Sequence, residues 1–190
     1  IRLLIWFENM LSNDSLIIQN GSAHSMAEVL GALNPESLSE AIDRALIIIF
    51  DKNSSPAICQ GYLLFFSHLP SVFDEELKKF LPKLIPSVIK CLSDDYAPLS
   101  NAALLAGQNL VSQFDNDALE HIVAHIDDTL LDPSWVIRLG SIKLLREVIL
   151  TMSGAARSDL INSDDIDNLS DESGQLLQKF SSRMTIIFFT

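Results

Sequence analysis

Leu131 to Ile149 reads LDPSWVIRLGSIKLLREVI. Asp132 is a good helix N-cap, and Pro133 suits the first helical position, where its missing N–H costs nothing. Val136, Ile137, Ser141, Ile142, Leu144, Leu145, Val148 and Ile149 then cover one wide face at helical spacing. The frame is Asp132, Ile137, Ser141, Leu145, Val148, and it occurs three more times upstream. It reads Asp94, Leu99, Ala103, Gly107, Leu110, then Asn53, Ile58, Tyr62, Phe66, Leu69, and first Asn13, Ile18, Ser22, Met26, Val29. The anchors Ile18, Ile58, Leu99 and Ile137 lie 40, 41 and 38 residues apart. A period near 40 with no strand signal predicts an all-α chain of about four stacked helical hairpins, an α-solenoid.

Composition narrows the function. Of 190 residues, 48% are hydrophobic, enough for a sizeable core, and the net charge is −12. That charge argues against non-specific binding to nucleic acid or to an anionic membrane. Cys59 and Cys91 fall inside predicted helices with no metal-type spacing, which fits inert thiols in a reducing, cytoplasmic setting. The start at Ile1, with no charged leader and cleavage site, reads as a piece of a longer protein. No apolar run approaches the roughly 20 residues needed to span a bilayer.

Four hairpins are expected over 1–152, at roughly 1–33, 34–70, 71–114 and 115–152. Outer helices are expected over Ile1 to Leu11, Ser37 to Asp51, Phe73 to Leu92 and Ala118 to Leu131. Inner helices are expected over Leu16 to Leu33, Ala57 to Leu69, Leu99 to Phe114 and Pro133 to Met152. Asn34-Pro35 should stop one helix and cap the next. Ala45 to Phe50, apolar all round, should be deeply buried, and Phe65 and Phe66 should fill the core. Pro70 should end its helix, Pro82 and Pro86 should kink the third outer helix, and Asp115 or Asn116 should cap the fourth. Residues 153–175 hold six acidic residues and no periodic apolar face, which predicts a flexible acidic linker. Residues 176–190 return to apolar, as a truncated helical or irregular tail.

An Asp, an apolar anchor, usually an arginine, then a small residue is the signature of HEAT repeats, an armadillo-type fold. The segments QNGSAHSMAEVLGAL (19–33), CQGYLLFFSHLPSVF (59–73), LPKLIPSVIKCLSDD (81–95), NAALLAGQNLV (101–111) and LDPSWVIRLGSIKLLREVI (131–149) go further. In order and spacing they resemble one block of the general-control translational activator family over roughly 13–152. These are all-HEAT, ribosome-associated proteins that activate the initiation factor two alpha kinase under amino-acid starvation. The resemblance implies a non-catalytic scaffold block between an elongation-factor-three-like region and the kinase-binding region. It implies protein partners, the ribosome and the stress-response kinase machinery, reached through the parent protein. Membrane, sequence-specific nucleic acid, small-molecule ligand and cofactor are not implied.

The arginine after the anchor is kept only at Arg138, while Gln19, Cys59 and Ser100 take the other three places. An inter-repeat ladder of Asp94, Asp132 and Arg138 is therefore expected to be thin. Arg138 lies six residues after Asp132 and 44 after Asp94, so it can reach either. Shielded by Trp135, Val136 and Ile137, that contact should contribute more than about 1 kcal/mol, with Lys143 on the solvent side near neutral. Lys79, Lys83 and Lys90 fall on one helical face, an interaction surface for ribosomal RNA or an acidic partner. The plainer reading is a solvated face with Glu75 and Lys79 paired. Trp135 is either hairpin-joint packing or a contact residue. His121 and His125, with Asp117 and Asp128, have zinc-compatible spacing, but Ile122 stands where a metalloprotease has glutamate. A solvated helix face is the simpler account. Four Asn-x-Ser sequons begin at Asn13, Asn20, Asn53 and Asn168, chance matches without a secretory signal. Neither a phosphate loop nor a nucleophile elbow supports an enzyme. An importin-like transport receptor is the other scaffold class. Its inner helices would be acidic, whereas Gln19, Asn20, Gln60, Ser100, Asn101 and Gln108 are uncharged.

Overall fold

Short polar side chains start these helices two residues before the first turn. The computed structural model describes residues 2–130 and 132–152. Its helices are α1 (Arg2–Met10), α2 (Leu16–Gly31), α3 (Pro35–Phe50), α4 (Pro56–Val72), α5 (Glu75–Lys78), α6 (Leu81–Leu92), α7 (Ala97–Leu130) and α8 (Trp135–Met152). Among the described residues there is no strand. Asn13, Asp94 and Asp132 each accept through Oδ1 the N–H two residues on, from Ser15 at 2.9 Å, Tyr96 at 2.9 Å and Ser134 at 2.7 Å. The helix begins at the next residue each time. In the second copy Asp51 holds the Asn53 N–H at 2.9 Å, and Ser55 caps α4 through the Ile58 N–H. Thus α8 starts at Trp135 and not at Pro133, because Asp132 forms a turn instead of a cap. Asn34 is a true N-cap: its Oδ1 accepts the Ser37 N–H at 3.1 Å, with Pro35 in the first turn.

Three expected breaks fall elsewhere. Pro70 does not end α4, which runs to Val72; the Phe73 N–H closes the final turn onto Leu69 O at 2.8 Å. The third outer segment is divided at Lys79–Phe80, and Pro86 lies inside the unbroken α6. Pro82 then falls in the first turn of α6, where it forfeits no hydrogen bond. Asp115-Asn116 does not interrupt α7, which continues for 34 residues, about 50 Å at 1.5 Å per residue. A cap contributes only about 1 kcal/mol. Without a glycine or proline beside it, it does not outweigh the backbone bonds a break would forfeit.

The core follows the third and fourth positions of the frame; of the anchors only Leu99 is buried, Ile58 and Ile137 are half-buried, and Ile18 is exposed. Ser22, Tyr62, Ala103 and Ser141, its shared third position, are all buried, as are Met26, Phe66, Gly107 and Leu145 at the fourth. Phe65 and Phe66 are fully buried, as expected for α4, the most enclosed helix. The end of α3 is not: Ala45 and Ile49 are buried, but Ile47 is 70% exposed and Phe50 is exposed as well. Only one stripe of α3 has a neighbour, so an all-apolar segment still leaves one side in water. Helices α2, α4, α7 and α8 pack in succession as one row. Helices α1, α3 and α6 lie along α2, α4 and α7. Ion pairs tie this second row: Arg44 of α3 to Glu8 of α1 at 2.7 Å, and Lys83 of α6 to Asp43 of α3 at 2.9 Å. The linker 153–175 and the tail 176–190 lie outside the described residues.

Candidate functional site

A helix leaves its last four carbonyls without intrahelical donors, and a buried carbonyl left so is costly. In this chain the residue after each anchor meets that need. Gln19 donates from Nε2 to Leu11 O at 2.6 Å, just past α1, and to Ala57 O at 2.8 Å in the first turn of α4. The Cys59 thiol reaches Ile48 O in the last turn of α3 at 3.9 Å. Ser100 Oγ donates to Leu92 O, the end of α6, at 2.6 Å. Arg138 Nη1 donates to Asp132 O at 2.6 Å and Pro133 O at 3.0 Å, just past α7. Two lysines join them: Lys90 Nζ on Ile49 O and Lys143 Nζ on Leu92 O, both at 2.8 Å. Cations suit the negative end of a helix dipole.

A small residue three places after the anchor lets these ends approach. A Cβ on Gly61 would stand 2.1 Å from Leu11 O, and one on Gly140 would stand 2.6 Å from Ile89 O. Ala102 holds the equivalent place and is buried. Gly21 is the fourth member of the series and has nothing within 4 Å. The joint is therefore a small residue against a helix end, with a donor beside it on the same helix. The glycine series is readable from its period of about 40; the lysine donors have no such signal.

The ladder takes a different form from the one expected. Arg138 binds backbone carbonyls of its own turn, while the carboxylates of Asp132 and Asp94 hold the Ser134 and Tyr96 N–H groups. Trp135 is 61% exposed and does not shield the joint. Lys143 is half-buried and spans α8 to α6, not solvent-facing as its position on the helix suggested. Lys143→Ala should therefore destabilise by about 1–2 kcal/mol, at the lower end for a charged hydrogen bond that is partly exposed. Arg138→Ala, which breaks only local bonds, should lower stability by no more than that. Urea titration of both variants checks the order.

The expected lysine surface is largely engaged within the chain. Lys79 is exposed in the α5–α6 break with Nζ 5.0 Å from the centre of the Phe80 ring. Lys83 holds Asp43, and Lys90 holds Ile49 O and lies 4.6 Å from the Phe50 ring centre. Glu75 pairs with Lys78 at 2.8 Å, not with Lys79. The break at Lys79–Phe80 takes Lys79 off the helix that carries Lys83 and Lys90. The side chains of His121, His125, Asp117 and Asp128 lie outside the described residues.

Other titratable groups are set by burial. The Cys91 thiol is pushed up to about 12 by desolvation and then by Cys59, and the Cys59 thiol is raised mainly by burial, so both disfavour the reactive thiolate. His68 is lowered by burial and then by His24, whose ring centre is 4.8 Å away; its Nε2 lies 3.0 Å from Asn20 Oδ1. Among the described residues no group of three or more His, Cys, Asp or Glu is placed to hold a metal ion. No described helix is long and apolar enough to cross a membrane.

No family model matches the chain. It is similar to the stalled ribosome sensor GCN1 of Mus musculus, 28% identical over 153 residues, covering 80% of this chain and 6% of that protein. It is also similar to the eIF-2-alpha kinase activator GCN1 of Dictyostelium discoideum, 26% identical over 170 residues, 89% of this chain and 6% of that protein. The protein of the same name from Saccharomyces cerevisiae is 24% identical over 157 residues, 83% of this chain and 6% of that protein. These relatives are named as a sensor and as activators, not as enzymes. The chain spans about 6% of the length of the curated relatives it matches. Over four-fifths of its length or more the chain is thus similar to one short block of the GCN1 proteins.

Proposed function

We propose that this chain is a non-catalytic, HEAT-type scaffold segment of a ribosome-associated translational activator. Its parent promotes activation of the initiation factor two alpha kinase in the amino-acid starvation response. The carrying observation is the extent of the match, over 80–89% of the chain, to proteins named as a stalled ribosome sensor and as eIF-2-alpha kinase activators. The joints support the architectural half of this reading. A donor on a helix-end carbonyl beside a small residue recurs about every 40 residues, as expected where repeats of that length contact only their neighbours. Under this reading Gly21 is a joint position of the same kind, open to a further hairpin of the parent. The importin-like alternative gains nothing, because Gln19 and Gln60 are buried and Ser100 is bound to Leu92 O, not lining a cargo surface.

Deleting residues 1–152 from a full-length parent should weaken its co-sedimentation with ribosomes and reduce starvation-induced phosphorylation of the initiation factor, at unchanged parent abundance. Persistence of both at wild-type level would overturn the scaffold reading.

A further inference from the structure

The α2–α3 turn bounds two hollows, one of about 750 Å³ against α1 and α3 and one of about 440 Å³ against the α4–α5 turn. Leu33 and Asn34 line both hollows, which therefore meet at the α2–α3 turn as a trough in two parts. Its floor is apolar: Leu4 and Ile5 from α1, Leu33 and Pro35 at the first turn, Val72 and Phe73 at the second. Ile5 and Leu33 are exposed although large and apolar. The rim is acidic. Glu8, Glu40, Asp74, Glu75 and Glu76 line the trough against one cation, Arg44, which Glu8 already holds at 2.7 Å. The Glu40 and Glu75 side chains are 75% and 81% exposed despite their contacts with Arg44 and Lys78.

From this geometry we propose that the trough docks a lysine- and arginine-rich peptide segment of a partner protein, with apolar residues interleaved. The apolar floor takes the peptide's aliphatic side chains, and the surplus of carboxylates takes its cations. Opposite charge steers such a segment in, and the same carboxylates repel a phosphate backbone, which excludes nucleic acid as occupant. The floor adds the specificity that charge alone lacks: a purely basic chain leaves Ile5 and Leu33 wet, and a purely apolar one leaves the carboxylates unpaired. The proposal needs neither the ribosome nor the kinase and stands apart from the scaffold reading.

The test titrates the full 190-residue chain with three fluorescent probes: an amphipathic Leu/Lys peptide, its Leu/Glu counterpart, and polyuridylate. The Leu/Lys peptide should bind and weaken as salt rises, and the other two should not bind. Leu33→Ser and Glu76→Lys, both at exposed positions and checked for helicity by circular dichroism, should each weaken binding about tenfold. Asp95→Lys, an exposed acid in the α6–α7 turn outside the trough, should change it less than twofold. Absence of Leu/Lys binding would overturn the proposal. So would equal effects of Asp95→Lys and Glu76→Lys, which would mean attraction to net charge only, or equal binding of polyuridylate.

Discussion

Gly61→Ala is expected to destabilise the chain by about 3 kcal/mol, at the upper end of the range for an overpacked site. Gly21→Ala, at the equivalent position one repeat earlier, is expected to stabilise it by about 0.5–1 kcal/mol. Both glycines sit inside helices, so both substitutions gain the same alanine propensity, and the difference is what the new methyl meets. At Gly61 it meets Leu11 O at 2.1 Å, with Leu11 C and Cβ at 2.8 Å. Two of those three atoms are backbone, so no rotamer change relieves the clash and α4 must move off the end of α1. That movement also breaks the Gln19 contacts to Leu11 O and Ala57 O. At Gly21 nothing lies within 4 Å. Chemical denaturation of the two variants beside wild type reads both signs, and shifts of the same sign would show that the joint is not built on this position. In a full-length parent Gly21→Ala should lose its benefit, if a further hairpin stacks there.

The period near 40 and the apolar frame were legible because they depend only on which side of a helix faces its neighbours. That rule places Ser22, Tyr62, Ala103 and Ser141 in the interior, and all four are there. Asn34-Pro35 was legible because a cap acts on its own chain within three residues. Two of the misplaced boundaries share one cause. Asp115-Asn116 and Asp132-Pro133 carry cap chemistry, but a cap residue can equally sit inside a helix or form a turn ahead of one. The backbone decides between these, and local side chains bias it by only about 1 kcal/mol. Trp135 and Phe50 ended exposed because among the described residues no helix covers that side, which composition does not report. Lys143 was unreadable for a different reason. A flexible four-carbon stem reaches whichever carbonyl lies near, and the nearness of Leu92 O depends on how α8 crosses α6. The trough is likewise a product of how two turns come side by side. Asp74, Glu75 and Glu76 are a visible acidic run, but Leu33 and Glu40 join them only in three dimensions.

Gln19→Met should cost about 1–3 kcal/mol, the second large effect. Methionine keeps the length and nearly the volume of glutamine, so packing is held constant and the amide alone is removed. That amide is the most constrained polar group among the described joints. Gln19 is 2% exposed, and its Nε2 bridges Leu11 O and Ala57 O at 2.6 and 2.8 Å. One side chain of α2 therefore serves both the end of α1 and the start of α4. Its loss leaves Leu11 O unsatisfied, at a cost of about 1–3 kcal/mol, while Ala57 O, in the first turn of α4, keeps its intrahelical donor. Leu11 is completely buried, which holds its carbonyl away from solvent. Ser100→Ala, the same substitution in kind two joints along, should cost about 0.5–1.5 kcal/mol. The reason lies in the acceptor: Leu92 O also receives Lys143 Nζ at 2.8 Å, so it keeps a donor when the serine hydroxyl is gone. The double variant Ser100→Ala with Lys143→Ala removes that second donor and should cost more than the sum of its parts, because only then is the carbonyl orphaned. Equilibrium unfolding of the four variants measures all of this. A Gln19→Met loss no larger than that of Ser100→Ala would show that helix-end carbonyls are not what these joints satisfy.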